Sequence, residues 1–240
     1  MGVTMRSSGQ SILKHLSAVN AERARRATSP KLAAKVLAIK GYQHRRFAHT
    51  YADLLASTRY VATARFFMEE LYGPQDFTRR DSQFARVVPA LVRLFPKEIV
   101  KMVDALAELH ALSEALDTRM AIELEDTAVE ASSYTTAWQA TGGVAERKQQ
   151  IALTLQVGKA LDVLTRNALV RGSLRLMRGP AQAGGMKELH QFLETGFETF
   201  KAMDGAAEFL ALVKNREQLL VSALFAGDGE GAAQAMSLLP

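Results

Sequence analysis

The stretch PKEIVKMVDALAELHALSEALDTRMAIELED, residues 96–126, decides the fold class. Placed on a wheel at about 100° per residue, Ile99, Met102, Val103, Leu106, Leu109, Met120 and Leu124 fall within one apolar arc. Spacings of three and four without strand-like alternation predict one long helix, started by Pro96 and running to about Asp126. His110, Ser113 and Asp117 fall inside the same arc, Glu114 at its edge, and Glu108 points away. A buried polar group without a partner costs roughly 1–3 kcal/mol, so these side chains require partners. Arg80 and Arg93 are the charge partners that the sequence suggests.

Outward from this helix the apolar spacing is helical nearly throughout, which predicts an all-α protein: a single globular bundle of about eight or nine helices with no β-sheet. Residues 8–27 read as a basic helix. Ser29-Pro30 reads as an N-cap with proline in the first turn, opening a helix to about Phe47 that Gly41 interrupts or tolerates. A helix over about 58–72 is expected to stop at Gly73-Pro74, with Gly73 in the left-handed region. Pro89 is expected to kink the helix that follows. Gly142-Gly143 end a helix over 130–140, and a long helix then runs from Val144 toward Met177 with a break near Asn167 or Gly172. Gly179-Pro180 and Gly184-Gly185 read as a loop. Helices over 186–202 and 205–225 follow. The division is a basic N-terminal helical segment (1–28), the bundle (29–226) and a flexible Gly-rich tail (227–240).

The 240 residues are 48% hydrophobic, ample for a buried core, and include no cysteine, which removes disulfides, thiolate ligands and cysteine nucleophiles. No run of about 18 apolar residues and no cleavable leader is recognisable, so a soluble, cytoplasmic protein without a transmembrane segment is expected. The start is basic and Ser-containing, as in organelle transit peptides. The net charge of +5 is uneven: residues 1–50 hold ten Lys/Arg and Glu22 as the one acid. Arg23, Arg25, Arg26, Lys35, Arg45 and Arg46 are candidates for nucleic acid or an anionic membrane. The same segment could instead dock on the protein's own acidic helix, since 97–131 holds nine Asp/Glu against three Lys/Arg.

Two stretches share the frame E-L-H-x-x-x-E, ELHALSE (108–114) and ELHQFLE (188–194). Helical phase separates them: His110 faces the apolar side with Ser113 and Asp117, whereas His190 sits at the border of its stripe. A histidine on an apolar face suits a haem ligand, with Phe67 among the aromatic residues lining the pocket. Its ordinary use is a hydrogen-bonded core residue. The Glu-x-x-His pairs of carboxylate-bridged metal bundles do not occur. TGGVAERK (141–148) lacks the Gly-Lys and Ser/Thr of a phosphate loop, and His110, Ser113 and Asp117 lie on one helix face without a nucleophile elbow. Gly196, within a core stripe, implies a close approach by another helix.

The stretch FFMEELYGPQDFTRRDSQFARVVPALVRLFP (66–96), followed by ALSEALD (111–117), resembles uncharacterised bacterial all-helical proteins. The resemblance covers about a third of the chain and implies a bacterial source but no activity. The expectation is a non-enzymatic binding or regulatory module engaging a protein partner, a second copy or an apolar ligand. The alternatives are a haem-binding or haem-oxygenase-like sensor or enzyme using His110, and a nucleic-acid or anionic-membrane binder using the basic segment.

Overall fold

In the structure, a computed structural model that describes residues 2–71, 73, 75, 77–226 and 230–240, α6 spans Lys97–Glu123 with Pro96 as N-cap. The others are α1 Gly2–Ala27, α2 Pro30–Thr50, α3 Ala52–Ala56, α4 Val61–Phe66, α5 Thr78–Leu94, α7 Ala131–Thr141, α8 Val144–Thr165, α9 Ala168–Ala183, α10 Lys187–Ala202, α11 Ala207–Phe225 and α12 Glu230–Leu238. A π-helical turn, Phe67–Leu71, continues α4. No strand occurs among the described residues, and the architecture is an all-α bundle. The twelve α-helices among the described residues exceed the expected eight or nine because 52–66 forms two short ones, the stretch from Val144 breaks in two at Asn167 and the C-terminal stretch adds another.

Local chemistry sets several boundaries. Ser29 Oγ accepts the Leu32 N–H at 3.3 Å and Pro30 stands in the first turn of α2, which passes Gly41 unbroken. Gly142 and Gly143 turn the chain at φ 64° and 78°. The α8–α9 break falls at Asn167, whose Oδ1 accepts from the Leu169 and Val170 N–H groups.

Three expectations are corrected. The helix α9 runs through Gly179-Pro180 and turns only at Gly184-Gly185; Pro180 lies on an exposed end where water can satisfy the freed carbonyl. Gly73 does not adopt left-handed φ: a Cβ there would lie 2.1 Å from the Glu69 carbonyl oxygen, so the position needs glycine for close approach. Its neighbours Tyr72, Pro74 and Asp76 lie outside the described residues, as do 227–229. The tail beyond them is helical rather than loose over 230–238, and Leu239 is 5% exposed in the core.

The helix α6 is central, packed against α1, α2, α7 and α8. Three apolar clusters surround it. One joins α2, the C-terminal half of α6, α7, α8, α11 and α12 around Tyr42, Met120 and Tyr134. Another gathers Tyr51, Phe67, Phe200 and Phe209 from α2 to α4, the π-turn, α10 and α11. The third joins α1, α5, the N-terminal half of α6 and α8 around Ile12, Val88 and Val103. Among the described residues no helix is long and apolar enough to cross a membrane.

Candidate functional site

Where the first two clusters meet, the interior is polar. A cavity there, lined from α2, the π-turn, α6, α7, α8 and α11, gives ≈ 80 Å³ to the centres of water-sized spheres. His110, Ser113, Glu114, Asp117 and Phe67 all line it, so the structure brings together every side chain that the sequence marks as a ligand candidate. Lys40, Gln43, Arg46, Trp138, Arg147, Gln150 and Glu217 are among the other polar residues of its wall.

Glu114, expected at the stripe's edge, is instead buried at 3% exposure. Its carboxylate accepts from Arg26 and, at 2.6 Å, from Lys40. Burial would raise its pKa, but the Lys40 and Arg26 charges outweigh burial and hold it at about 2. Asp117 Oδ1 accepts from the Gln43 amide at 3.1 Å; burial pushes its pKa up, and Lys40 offsets this only in part. Arg46 pairs with Glu217, which also accepts from the Tyr51 hydroxyl at 2.7 Å. Burial works against the Arg46 charge, yet Glu217 beside it keeps its pKa above the ordinary value.

His110 donates from Nε2 to Asp81 Oδ2 at 2.8 Å, and Arg23 holds the same oxygen at 2.7 Å. The expected partners are not the ones found. Arg80 bonds Glu70 and lies 3.9 Å and 4.4 Å from the Phe77 and Phe192 ring centres, and Arg93 is exposed. A haem or metal ion using His110 Nε2 would have to displace Asp81. Among the described residues no three His, Asp or Glu side chains form a metal-holding group. Ser113 accepts from Gln150 Nε2 at 2.9 Å, so His110 and Ser113 are not set against each other as base and nucleophile. His190, placed at a border by its helical phase, is buried at 8% exposure with Nε2 donating to the Leu174 carbonyl at 2.7 Å; α9 covers that side of α10.

The basic segment mostly turns inward. Arg23 and Arg26 engage Asp81 and Glu114, Lys35 donates to the Leu124 carbonyl, and Arg46 holds Glu217. Arg25 and Arg45 are exposed, with Arg45 5.3 Å from the Tyr42 ring centre. Burying long cations is favourable only with such partners.

Arg147 is the exception, and the sequence does not single it out. Its side chain is buried at 3% exposure. Nη1 donates to Gln150 Oε1 at 3.2 Å, Nη2 approaches the Met120 sulfur at 3.9 Å, and the guanidinium lies 3.7 Å from the Trp138 ring centre. Nε bonds nothing, and no described carboxylate pairs with it. Burial pulls its pKa down, and Tyr134 and Asp117 offset this only partly. Trp138 Nε1 and Arg46 Nε, from residues of the same cavity wall, are also buried donors without acceptors among the described residues. A signal for Arg147 does exist: it shares one buried stripe of α8 with Ile151, Thr154 and Gly158.

Residues 22–231 match the family described as Domain of unknown function (DUF8198), and the chain belongs to that family. No curated protein and no solved structure matches it.

Proposed function

We propose that this member of the family is a non-enzymatic helical module, bacterial and cytoplasmic, that binds a small anion between its helices. The observation that carries the reading is the buried Arg147 guanidinium, stacked on Trp138 without a carboxylate partner among the described residues. A buried cation left unpaired is costly, so an arrangement that retains one favours an anionic occupant. Glu114 already holds Lys40 and Arg26, and Glu217 holds Arg46, so neither of these carboxylates is left over for Arg147. The buried groups of the wall that lack partners, on Arg46, Trp138 and Arg147, are all donors, so they call for an acceptor. The space of ≈ 80 Å³ exceeds the ~10–15 Å³ that one water needs.

Trp138 is the one tryptophan of the chain, so its fluorescence reads the cavity directly. Titration with acetate, butyrate and hexanoate should give a saturable emission change. At a hundredfold excess over Kd the stabilisation is about 2.7 kcal/mol, which raises Tm by roughly 5–10 °C. Arg147→Met should abolish both signals, whereas Arg147→Lys, keeping the charge but not the planar fork, should weaken them. Superimposable titrations of the parent and Arg147→Met, with both proteins shown by melting to be folded, would overturn the proposal.

A further inference from the structure

A second cavity of ≈ 90 Å³ adjoins the first. Eleven of its fifteen lining residues are apolar, drawn from α1, α5, α6 and α10 and including Leu16, Phe84, Leu106, Leu189 and Leu193. Its polar residues are Arg80, Asp81, His110 and Ser113. His110 and Ser113 also line the polar cavity, so the two spaces meet at these side chains. Along α6, Val103, Leu106, His110, Ser113 and Asp117 follow one another at spacings of three and four and therefore form one stripe. That stripe is apolar at its N-terminal end and polar at its C-terminal end, over about 21 Å of helix at 1.5 Å per residue.

The junction is tied back on both sides. Asp81 holds the tip of His110, and Gln150 holds Ser113 while accepting from Arg147. A hydrogen-bonded sequence thus runs from the unpaired cation to the boundary with the apolar space. Water fills an apolar chamber poorly, whereas an aliphatic chain gains by entering it.

We infer that the anion is an unbranched aliphatic monocarboxylate, its head group against Arg147 and Trp138 and its tail passing His110 and Ser113 into the second cavity. The inference rests on the anion-binding reading and adds the tail. A single negative charge matches the one lining cation that has no carboxylate partner among the described residues, and the planar carboxylate matches the guanidinium fork. The stripe on α6 lies alongside both halves of such a molecule.

The test compares acetate, octanoate, dodecanoate and dodecanol, each below its aggregation concentration, by Trp138 fluorescence on the full chain. Affinity should rise with chain length, by about fourfold for each methylene that enters the apolar cavity. Dodecanol should bind at least tenfold more weakly than dodecanoate. Leu106→Phe, which narrows the second cavity and keeps Trp138 the one tryptophan, should leave acetate binding intact and reduce the gain with chain length. Leu193→Phe, on α10 across the same cavity, should do the same and serves where Leu106→Phe melts early. Equal affinities for acetate and dodecanoate, or dodecanoate affinity unchanged in both phenylalanine variants, would overturn the tail while leaving the anion site standing. Dodecanol binding as tightly as dodecanoate would overturn the placement of the head group. No response to any carboxylate would remove the inference and the anion site together.

Discussion

At the scale of single residues, Glu114 shows how strongly position outweighs residue type. It belongs to the repeated E-L-H-x-x-x-E frame, yet the corresponding Glu194 has 22% side-chain exposure and pairs with the exposed Arg178. Glu114 is enclosed by Arg26 and Lys40. With its folded pKa near 2 against an ordinary 4.5, it contributes stability that is present above pH 4.5 and lost as pH falls toward 2. The shift corresponds to roughly 3 kcal/mol. Asp117, whose pKa is raised, has the opposite sign and favours the folded state more as acid protonates it. Glu114→Gln should therefore destabilise the protein by about 3 kcal/mol at pH 7 and flatten the loss of stability between pH 4.5 and 2, as read by urea unfolding across pH. A variant as stable as the parent at pH 7 would refute this role. The phase of α6 reveals that His110, Ser113 and Asp117 face inward, but not what they meet. Asp81 is 29 positions from His110 and Gln43 is 74 from Asp117, and helical periodicity carries no information over such separations.

At the scale of elements, the basic front is a structural component rather than a free arm. The helix α1 lies along α6 and α5, burying Ile12, Leu16 and Val19 and delivering Arg23 and Arg26 to their carboxylates. Each fully buried aliphatic side chain contributes about 1.5–3 kcal/mol, and stripping a buried carboxylate of its partner costs about 3–5 kcal/mol. Deletion of residues 1–28 should thus consume most of a total stability of roughly 5–15 kcal/mol, visible as loss of the cooperative thermal transition. An unchanged melting curve would mean that α1 is dispensable. Glycines make a finer test. A Cβ at Gly196 would come within 2.7 Å of the Phe66 ring, whereas one at Gly172 meets nothing within 4 Å. Gly196→Ala should destabilise by about 1–3 kcal/mol through overpacking, and Gly172→Ala should stabilise by up to about 1 kcal/mol through helix propensity. Thermal melting of the two variants in parallel, with shifts in the same direction, would reject the contrast. Boundaries set by side chains or tight turns, such as Ser29-Pro30 and Gly142-Gly143, are legible in the sequence because their causes are local. The course of α9 through Pro180 and the helix in the Gly-rich tail depend on solvent exposure and on the core available to Leu239, which a linear reading does not contain.

At the scale of the whole molecule, the candidate site exists only because helices far apart in sequence converge on α6. Arg147 follows a double glycine at a helix start, a context that reads as an exposed first turn; its burial is decided by α6, α7 and the Trp138 ring. The pair between Arg46 and Glu217 has the same character, joining α2 to α11 across 171 positions. Arg46→Met leaves Glu217 without its cation and Glu217→Gln leaves Arg46 buried and unpaired, so each should cost about 3–5 kcal/mol. The double variant should recover at least part of that loss. A double-mutant cycle in chemical denaturation measures the difference, and strict additivity would show that the pair is not coupled. The same separation bears on synthesis. Chains emerge from the ribosome N-terminus first, at about 5–20 residues per second, so Arg46 waits on the order of 10 s for the glutamate that neutralises it. Until α11 has emerged, α2 cannot settle into its final place, and nascent chains that end before Glu217 should be held open and sensitive to protease.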